Sequence, residues 1–241
     1  MTSIAEPTSR QRRRENTRSQ ILTAASAVFS RAGFDAASLA EIASSAGVKK
    51  ALVQYHFSTK DQLWRDTAAH IWEQRNRFMA DRLAAASPGD ALETMRQGFT
   101  ALIEFTHAQP HWLWFMFHEA AAGGERQQWL VEHCLAADYR TGESFVREFQ
   151  ARELIREGSP LHLLHLISGA LTYNLLVAPT TLLAAGLDLG TRESIGEQVN
   201  LLRGLLGRWA VPWPDPVRER VEPGRLVRVL PVAAAGQHLQ R

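Results

Sequence analysis

Residues 34–64 read FDAASLAEIASSAGVKKALVQYHFSTKDQLW, and this stretch decides the fold. Ser38-Leu39-Ala40-Glu41 has the form of a capping box: the Ser38 hydroxyl accepts from the amide three residues on, and Glu41 reaches back to the Ser38 amide. Leu39, Ile42 and Ala43 then share the inward face of a short helix. Ala46-Gly47-Val48 interrupts it, and helical spacing resumes from Lys49 to His56 with Leu52 and Val53 as its apolar members. Thr59-Lys60-Asp61-Gln62 repeats the capping-box form and opens a long helix. The pattern is helix, tight glycine turn, helix, with Gly47 the small residue expected to let the two helices cross closely.

Such a pair suits the major groove of DNA, the second helix entering it and the first crossing above. Lys49 and Lys50 stand at the start of the second helix, where charge, backbone amides and helix dipole all favour phosphate oxygens. Ala51 and Leu52 offer apolar contact to thymine methyl groups, and Gln54 matches an adenine edge. His56 and Lys60 are placed to clamp the flanking backbone, as is Ser38 from the capping side. Tyr55 joins this set as a residue that reads equally well as contact or as core, whereas Phe57 reads as packing beneath the motif.

Outward from this stretch the chain stays helical, and the expected class is all-α with about nine helices. A first helix from Arg14 to Ala32 carries Ile21, Leu22, Ala25, Val28 and Phe29 on one face and stops at Gly33. Downstream, helices are expected over Thr59–Ala86, through Leu92, Met95, Phe99, Leu102 and Ile103 to Pro110, over Trp112–Ala122, over Glu125–Glu153, from Pro160 to Pro179, which should end or kink it, and over Thr191–Trp209. Half of the ten prolines lie beyond Ala210, so residues 211–241 read as an extended, Pro-rich tail. The expected organisation is a basic flexible arm (1–13), a three-helix DNA reader (14–74), a larger helical domain (75–210) and the tail.

Composition narrows the classes. With 45% hydrophobic and 22% charged residues in 241, the chain is globular and long enough to bury a sizeable core. Cys134 is the only cysteine, which excludes an internal disulfide framework. The first residues lack the apolar run of a secretory signal, and the longest apolar run, from Leu161, is interrupted by His162, His165 and Asn174. A cytoplasmic protein without a membrane span is expected. Net charge is only +2, but residues 1–60 hold nine Lys/Arg against four Asp/Glu, so the N-terminal end is the part built for a polyanion.

Gly33-Phe34, Ser38, Ile42-Ala43, Ala46-Gly47-Val48, Tyr55-His56-Phe57 and Thr59-Lys60 together resemble the DNA-binding segment of TetR-family transcriptional regulators. The family often places Tyr at the position of Gln54, and Gly or a small polar residue at those of Ala51 or Leu52, so the base-reading set departs from its pattern. The resemblance implies a repressor that binds a palindromic operator in double-stranded DNA. It further implies a helical domain that takes a small organic effector, and a homodimer formed through the helices near 161–177 and 191–209.

The segment His111-Trp112-Leu113-Trp114-Phe115-Met116-Phe117-His118-Glu119 holds more aromatic residues than one core-facing stripe hides. Trp114, Phe115 and His118, with Trp129, Tyr173 and Asn174, are the candidate effector residues, combining apolar walls with a few polar groups. Two other classes compete. A helical enzyme is disfavoured because His118-Glu119 lacks the second histidine of a zinc-protease helix, Ala122 standing there, and no Gly-rich phosphate loop or serine elbow calls for a cofactor or catalytic residue. The pairs His107/His111 and His162/His165 lack a further ligand for a metal. A non-sensing structural DNA-binding protein leaves the aromatic second half without a role.

Overall fold

In the computed structural model, residues 8–84 and 89–207 are described. Every regular element among them is helical: α1 (Ser9–Ala36), α2 (Leu39–Ser45), α3 (Lys50–His56), α4 (Lys60–Ala84), α5 (Ala91–Ala108), α6 (His111–Ala122), α7 (Gly124–Leu130), a π-helical turn (Val131–Leu135), α8 (Ala136–Ala151), α9 (Pro160–Ala185) and α10 (Arg192–Leu206). With α7, the π turn and α8 counted as one continuous helix, these make the nine expected. The Pro-rich tail lies outside the described residues.

Helix α1 begins at Ser9, earlier than the expected Arg14. Thr8 and Gln11 form a complete capping box, the Gln11 amide donating to the Thr8 hydroxyl at 3.3 Å and Gln11 Oε1 accepting from the Thr8 amide at 2.7 Å. Residues 9–13, read as part of a flexible arm, are therefore the first turn and more of a helix. At its other end the helical backbone is broken at Gly33 (φ 72°, ψ 177°), where the stop was expected.

Pro179 was expected to end or kink α9; it does not end the helix, which runs on to a left-handed cap at Gly186. A proline removes one amide donor, and the helix-forming Leu182-Leu183-Ala184-Ala185 that follows keeps the pattern going. The Thr181 hydroxyl donates to the Val177 carbonyl at 3.1 Å across the same turn.

Two hydrophobic clusters hold the helices together. The first joins α1–α4 to α6 and the π turn: Trp64, 1% exposed, stacks on Phe115 (5.1 Å between centroids, 21° between planes) and meets Trp129 edge-on at 5.6 Å. Phe115 in turn touches Phe29 and Trp72. The second cluster is built by Met95, Phe99 and Ile103 of α5 with Val146 and Phe149 of α8, Ile167 and Leu171 of α9, and Ile195, Val199 and Leu202 of α10. A boundary near residue 74 thus falls inside α4 and does not coincide with the division between cores, since the first core draws on Trp112, Phe115, Leu130 and Cys134. Between the two, Asp138 of α8 accepts from Trp72 Nε1 at 2.9 Å and pairs with the buried Arg75, fastening α4 to α8.

Candidate nucleic-acid interface and effector groove

The turn between α2 and α3 closes in the Schellman manner. Val48 N–H donates to Ala43 O at 2.9 Å and Gly47 N–H to Ser44 O at 3.1 Å, satisfying carbonyls that the helix end would otherwise leave open. Gly47 has φ 64°, and nothing lies within 4 Å of the position a Cβ would take. The glycine is needed for left-handed backbone, and not for the close helix crossing expected from sequence. Only half of each expected capping box forms. Ser38 Oγ accepts from Glu41 N at 3.1 Å, but the Glu41 carboxylate pairs with Arg31; Thr59 accepts from Gln62 N at 3.0 Å while the Gln62 side chain turns to Asp66.

Lys49 is the N-cap of α3 and Lys50 its first residue, both exposed. Ala51, Leu52, Gln54 and Tyr55 also face solvent, Tyr55 at 69% exposure, whereas Val53 and Phe57 are buried beneath them. The structure thus brings seven of the nine proposed DNA residues, Lys49 to Tyr55 with Ser38, onto or beside one open surface. That count excludes Val53, and it leaves His56 and Lys60 as half-buried members. Burial first, then Arg14 and Arg18, push the His56 pKa below 6.5, so at neutral pH it presents an N–H and no charge. Lys60 donates to the Asp35 carbonyl at 3.1 Å and lies over the Phe34 ring at 4.6 Å, which ties it to the end of α1.

Arg14 was not singled out by sequence. Its guanidinium lies over the Tyr55 ring at 5.9 Å, which places an exposed cation of α1 beside the face of α3. The Thr8-Ser9-Arg10-Gln11 box was the available signal, because it extends α1 far enough to carry the RQRRRE run as helix.

Helix α6 grips the end of α1. His118 Nε2 donates to the Ser30 carbonyl at 3.0 Å, and Ser30 Oγ donates to the His111 carbonyl at 2.8 Å. A Cβ on Gly33 would come within 3.2 Å of His118 Nδ1. The next residue, Glu119, is 2% exposed and accepts from Arg126 Nε at 3.2 Å, and the Arg126 guanidinium lies 4.0 Å above Phe34. Burial raises the Glu119 pKa above 4.5 in spite of the opposing pull of Arg126. Gly33→Ala forces a non-glycine residue to φ 72° and a methyl toward this ring. We expect a loss of about 1–3 kcal/mol in urea denaturation; a variant as stable as the wild type would show that the grip yields without cost.

Beside this grip lies a groove of about 700 Å³ lined by Ala27, Ser30, Arg31, Trp114, Phe117 and His118. Of the six candidate effector residues, only Trp114 and His118 meet there. Phe115 is 1% exposed in the first core. Trp129 is half-buried, stacked on His133 at 4.4 Å. Tyr173 and Asn174 belong to α9, Tyr173 being 62% exposed.

Helices α9 and α10 each carry a second apolar face. Leu166, Leu183, Leu201 and Leu205 are 65%, 89%, 62% and 58% exposed, although the opposite faces of the same helices fill the second core. α9 is also long and apolar enough to cross a membrane by length and composition.

A family model described as "Bacterial regulatory proteins, tetR family" matches residues 21–67, from α1 into α4. The HTH-type transcriptional regulator AcrR of Shigella flexneri is 29% identical over 149 residues, covering 58% of this chain and 67% of its own. Among solved structures, AibR in complex with isovaleryl coenzyme A and operator DNA superposes with a TM-score of 0.61 at 16% identity, over 79% of this chain and 97% of its own. A TetR family transcription regulator from Marinobacter aquaeolei VT8 does so with a TM-score of 0.61 at 19% identity, over 80% and 97%. At these identities the structural likenesses establish the fold.

Proposed function

Because this chain belongs to the TetR family of bacterial regulators and carries its DNA-binding domain, we propose that it is a cytoplasmic repressor that leaves a palindromic operator when a small organic effector engages the groove between α1 and α6. The observation that carries this reading is the grip of His111 and His118 of α6, with Arg126 of α7, on Ser30, Gly33 and Phe34, which makes the pose of the reader depend on α6 and α7. Trp114 and Phe117 offer apolar wall, and Arg31, Ser30 and His118 offer the few polar groups that orient a ligand. An effector that displaces His118 from the Ser30 carbonyl shifts α1, and α3 moves with it through the shared core. AibR, which resembles this chain in fold, is a protein seen with both an acyl-coenzyme A and operator DNA, which supports an effector-linked reader here.

On the DNA side, Lys49 and Lys50, with Arg14 on the flank, hold phosphates, and Ala51, Leu52 and Gln54 read base edges, with Ser38, Tyr55, His56 and Lys60 completing the footprint. The exposed apolar faces of α9 and α10 suit a four-helix interface with a second copy better than a membrane. Leu163, Ile167, Leu171 and Thr172 of α9 are already buried against the same chain, and His162, His165 and Asn174 interrupt the rest. Such a dimer places two α3 helices on half-sites about one DNA turn apart.

The test is a selection of bound DNA followed by operator titrations with and without hits from a thermal-shift screen of small organic molecules. Release by a hit, with a coupling of about 1–3 kcal/mol, is the expected result. Equal operator affinity with every bound hit would overturn derepression, and comparable affinity for all sequences would point to a non-sensing structural protein. Lys50→Ala is expected to weaken operator binding while the chain stays folded, and to reduce the salt slope of log K by about one. An unchanged slope would place the phosphate contact elsewhere.

A further inference from the structure

Helix α1 runs far ahead of the core it serves. Its first buried residue is Ile21, so residues 9–20, about 18 Å of helix at ~1.5 Å per residue, contain no buried residue. A helical segment of this length is marginal in water unless something packs on it. Charge makes its position worse. Four of its first six residues are arginine and no carboxylate stands in the first turn, so cations crowd the end at which the helix dipole is already positive. An anionic partner removes both penalties.

The arginines are also ordered. Arg10, Arg14, Arg18, Ile21, Ala25 and Val28 follow one another at helical spacings of three and four and form one continuous stripe. From Ile21 onward this stripe is the buried face of α1, and ahead of Ile21 the same stripe is arginine. A helix end that only needed solvating would carry its charge on the outward side, where Arg12 and Asn16 lie. Here the charge continues the inward one. Two contacts fix that side against α3. The Arg18 guanidinium lies over Phe57 at 5.3 Å and pairs with Asp66 at 2.8 Å, and that of Arg14 lies over the exposed Tyr55 ring at 5.9 Å. Arg18 is thus committed to the protein. Arg14, one turn earlier, reaches the open face of α3, and Arg10 stands a further turn out with Arg13 beside it, all three exposed. Tyr55 belongs to the last turn of α3, whereas Lys49 and Lys50 open that helix. The two basic groups therefore sit at opposite ends of it.

We infer that Arg10, Arg13 and Arg14 form a second phosphate-binding surface for double-stranded DNA, gripping backbone that lies beyond the base pairs read by α3. Its place on the duplex rests on the operator-binding reading above. Its chemistry does not, because a guanidinium fork on phosphate oxygens is indifferent to sequence.

Fluorescence anisotropy of the full chain on a mixed-sequence duplex, titrated across salt concentrations, tests this without a known operator. Arg10→Ala with Arg13→Ala is expected to reduce the slope of log K against log salt by about two for each bound chain, and to weaken binding about tenfold or more at about 0.1 M salt. Both residues are exposed and alanine is the better helix former, so the fold is kept, which a circular dichroism melt checks. On a selected operator, the parent should bind a duplex extended by one DNA turn, about 10 base pairs, on each side more tightly than the trimmed site. That gain should not depend on the sequence of the extensions, and the double variant should lose it. An unchanged salt slope, or a gain that survives the double substitution, would overturn the surface, and a gain tied to one extension sequence would replace phosphate contact by base reading. A reduced slope in a chain that prefers no operator would overturn the operator reading and leave the surface standing.

Discussion

Replacing Trp64 by alanine is expected to remove about 3–5 kcal/mol of stability, the range for deleting a large aromatic from a packed core. Trp64 is 1% exposed and lies face to face with Phe115 of α6 while Trp129 of α7 meets its edge. It is also where the reader's core continues into the second half of the chain. The void would sit between helices pinned on several sides, by Trp72 and Arg75 to Asp138 and by Ser30 to His111, which limits how far the walls can collapse. Native domains hold about 5–15 kcal/mol in all, so the loss brings the chain close to unfolding at growth temperature. Urea titration followed by circular dichroism measures it, and a loss below about 1 kcal/mol would mean that the three helices close over the gap. Trp64→Phe should retain a good part of the stability, because Phe115 keeps a ring to stack on.

The second large effect belongs to the apolar face left uncovered on α9 and α10. Leu166→Glu together with Leu205→Glu places charges on side chains that are 65% and 58% exposed in a single chain, so the fold of one copy is untouched. The same charges buried between two copies are costly. Light scattering is expected to report a dimer for the parent and a monomer for the double variant. Operator affinity is expected to fall by 10²–10⁴-fold, roughly the gain that linking two readers provides. A double variant that remains dimeric would move the interface to another face, and a monomer that binds the operator as tightly as the parent would show that one reader suffices.

Much of this fold is written in local signals. The α2–α3 turn is announced by Ala-Gly-Val, the start of α9 by Ser159-Pro160, and the stop of α1 by Gly33, because each depends on backbone conformations that few residues adopt. Thr8 and Gln11 carried an equally local signal that the dense arginines beside them obscured. Pro179 shows a local signal with two possible outcomes, an end or a kink, and the end is ruled out because a strong helix on both sides absorbs the missing amide.

The proposed effector groove was legible only in part. An aromatic cluster on α6 is visible in sequence, but which of its rings turn into the core and which line an opening depends on packing with α1 and α4. Phe115 went to Trp64 and Phe29, while Trp114, one residue away and 45% exposed, went to the groove with Phe117. Tyr173 and Asn174 are distant in the chain, and no periodicity states whether α9 approaches α6.

The π turn at Val131–Leu135 gives the long helix of α7 and α8 an unusual tolerance. An α-helix turns about 100° per residue, so dropping one residue from its middle swings everything downstream to a new side. A π turn already houses one residue more than an α turn needs. Shortening the chain by one within it would close the bulge into ordinary helix and leave Val146 and Phe149 aimed at the core they now fill. Elsewhere along the same helix, the identical deletion would turn them away. The constraint on this segment is thus on the number of residues rather than on their chemistry, and one of them is spare.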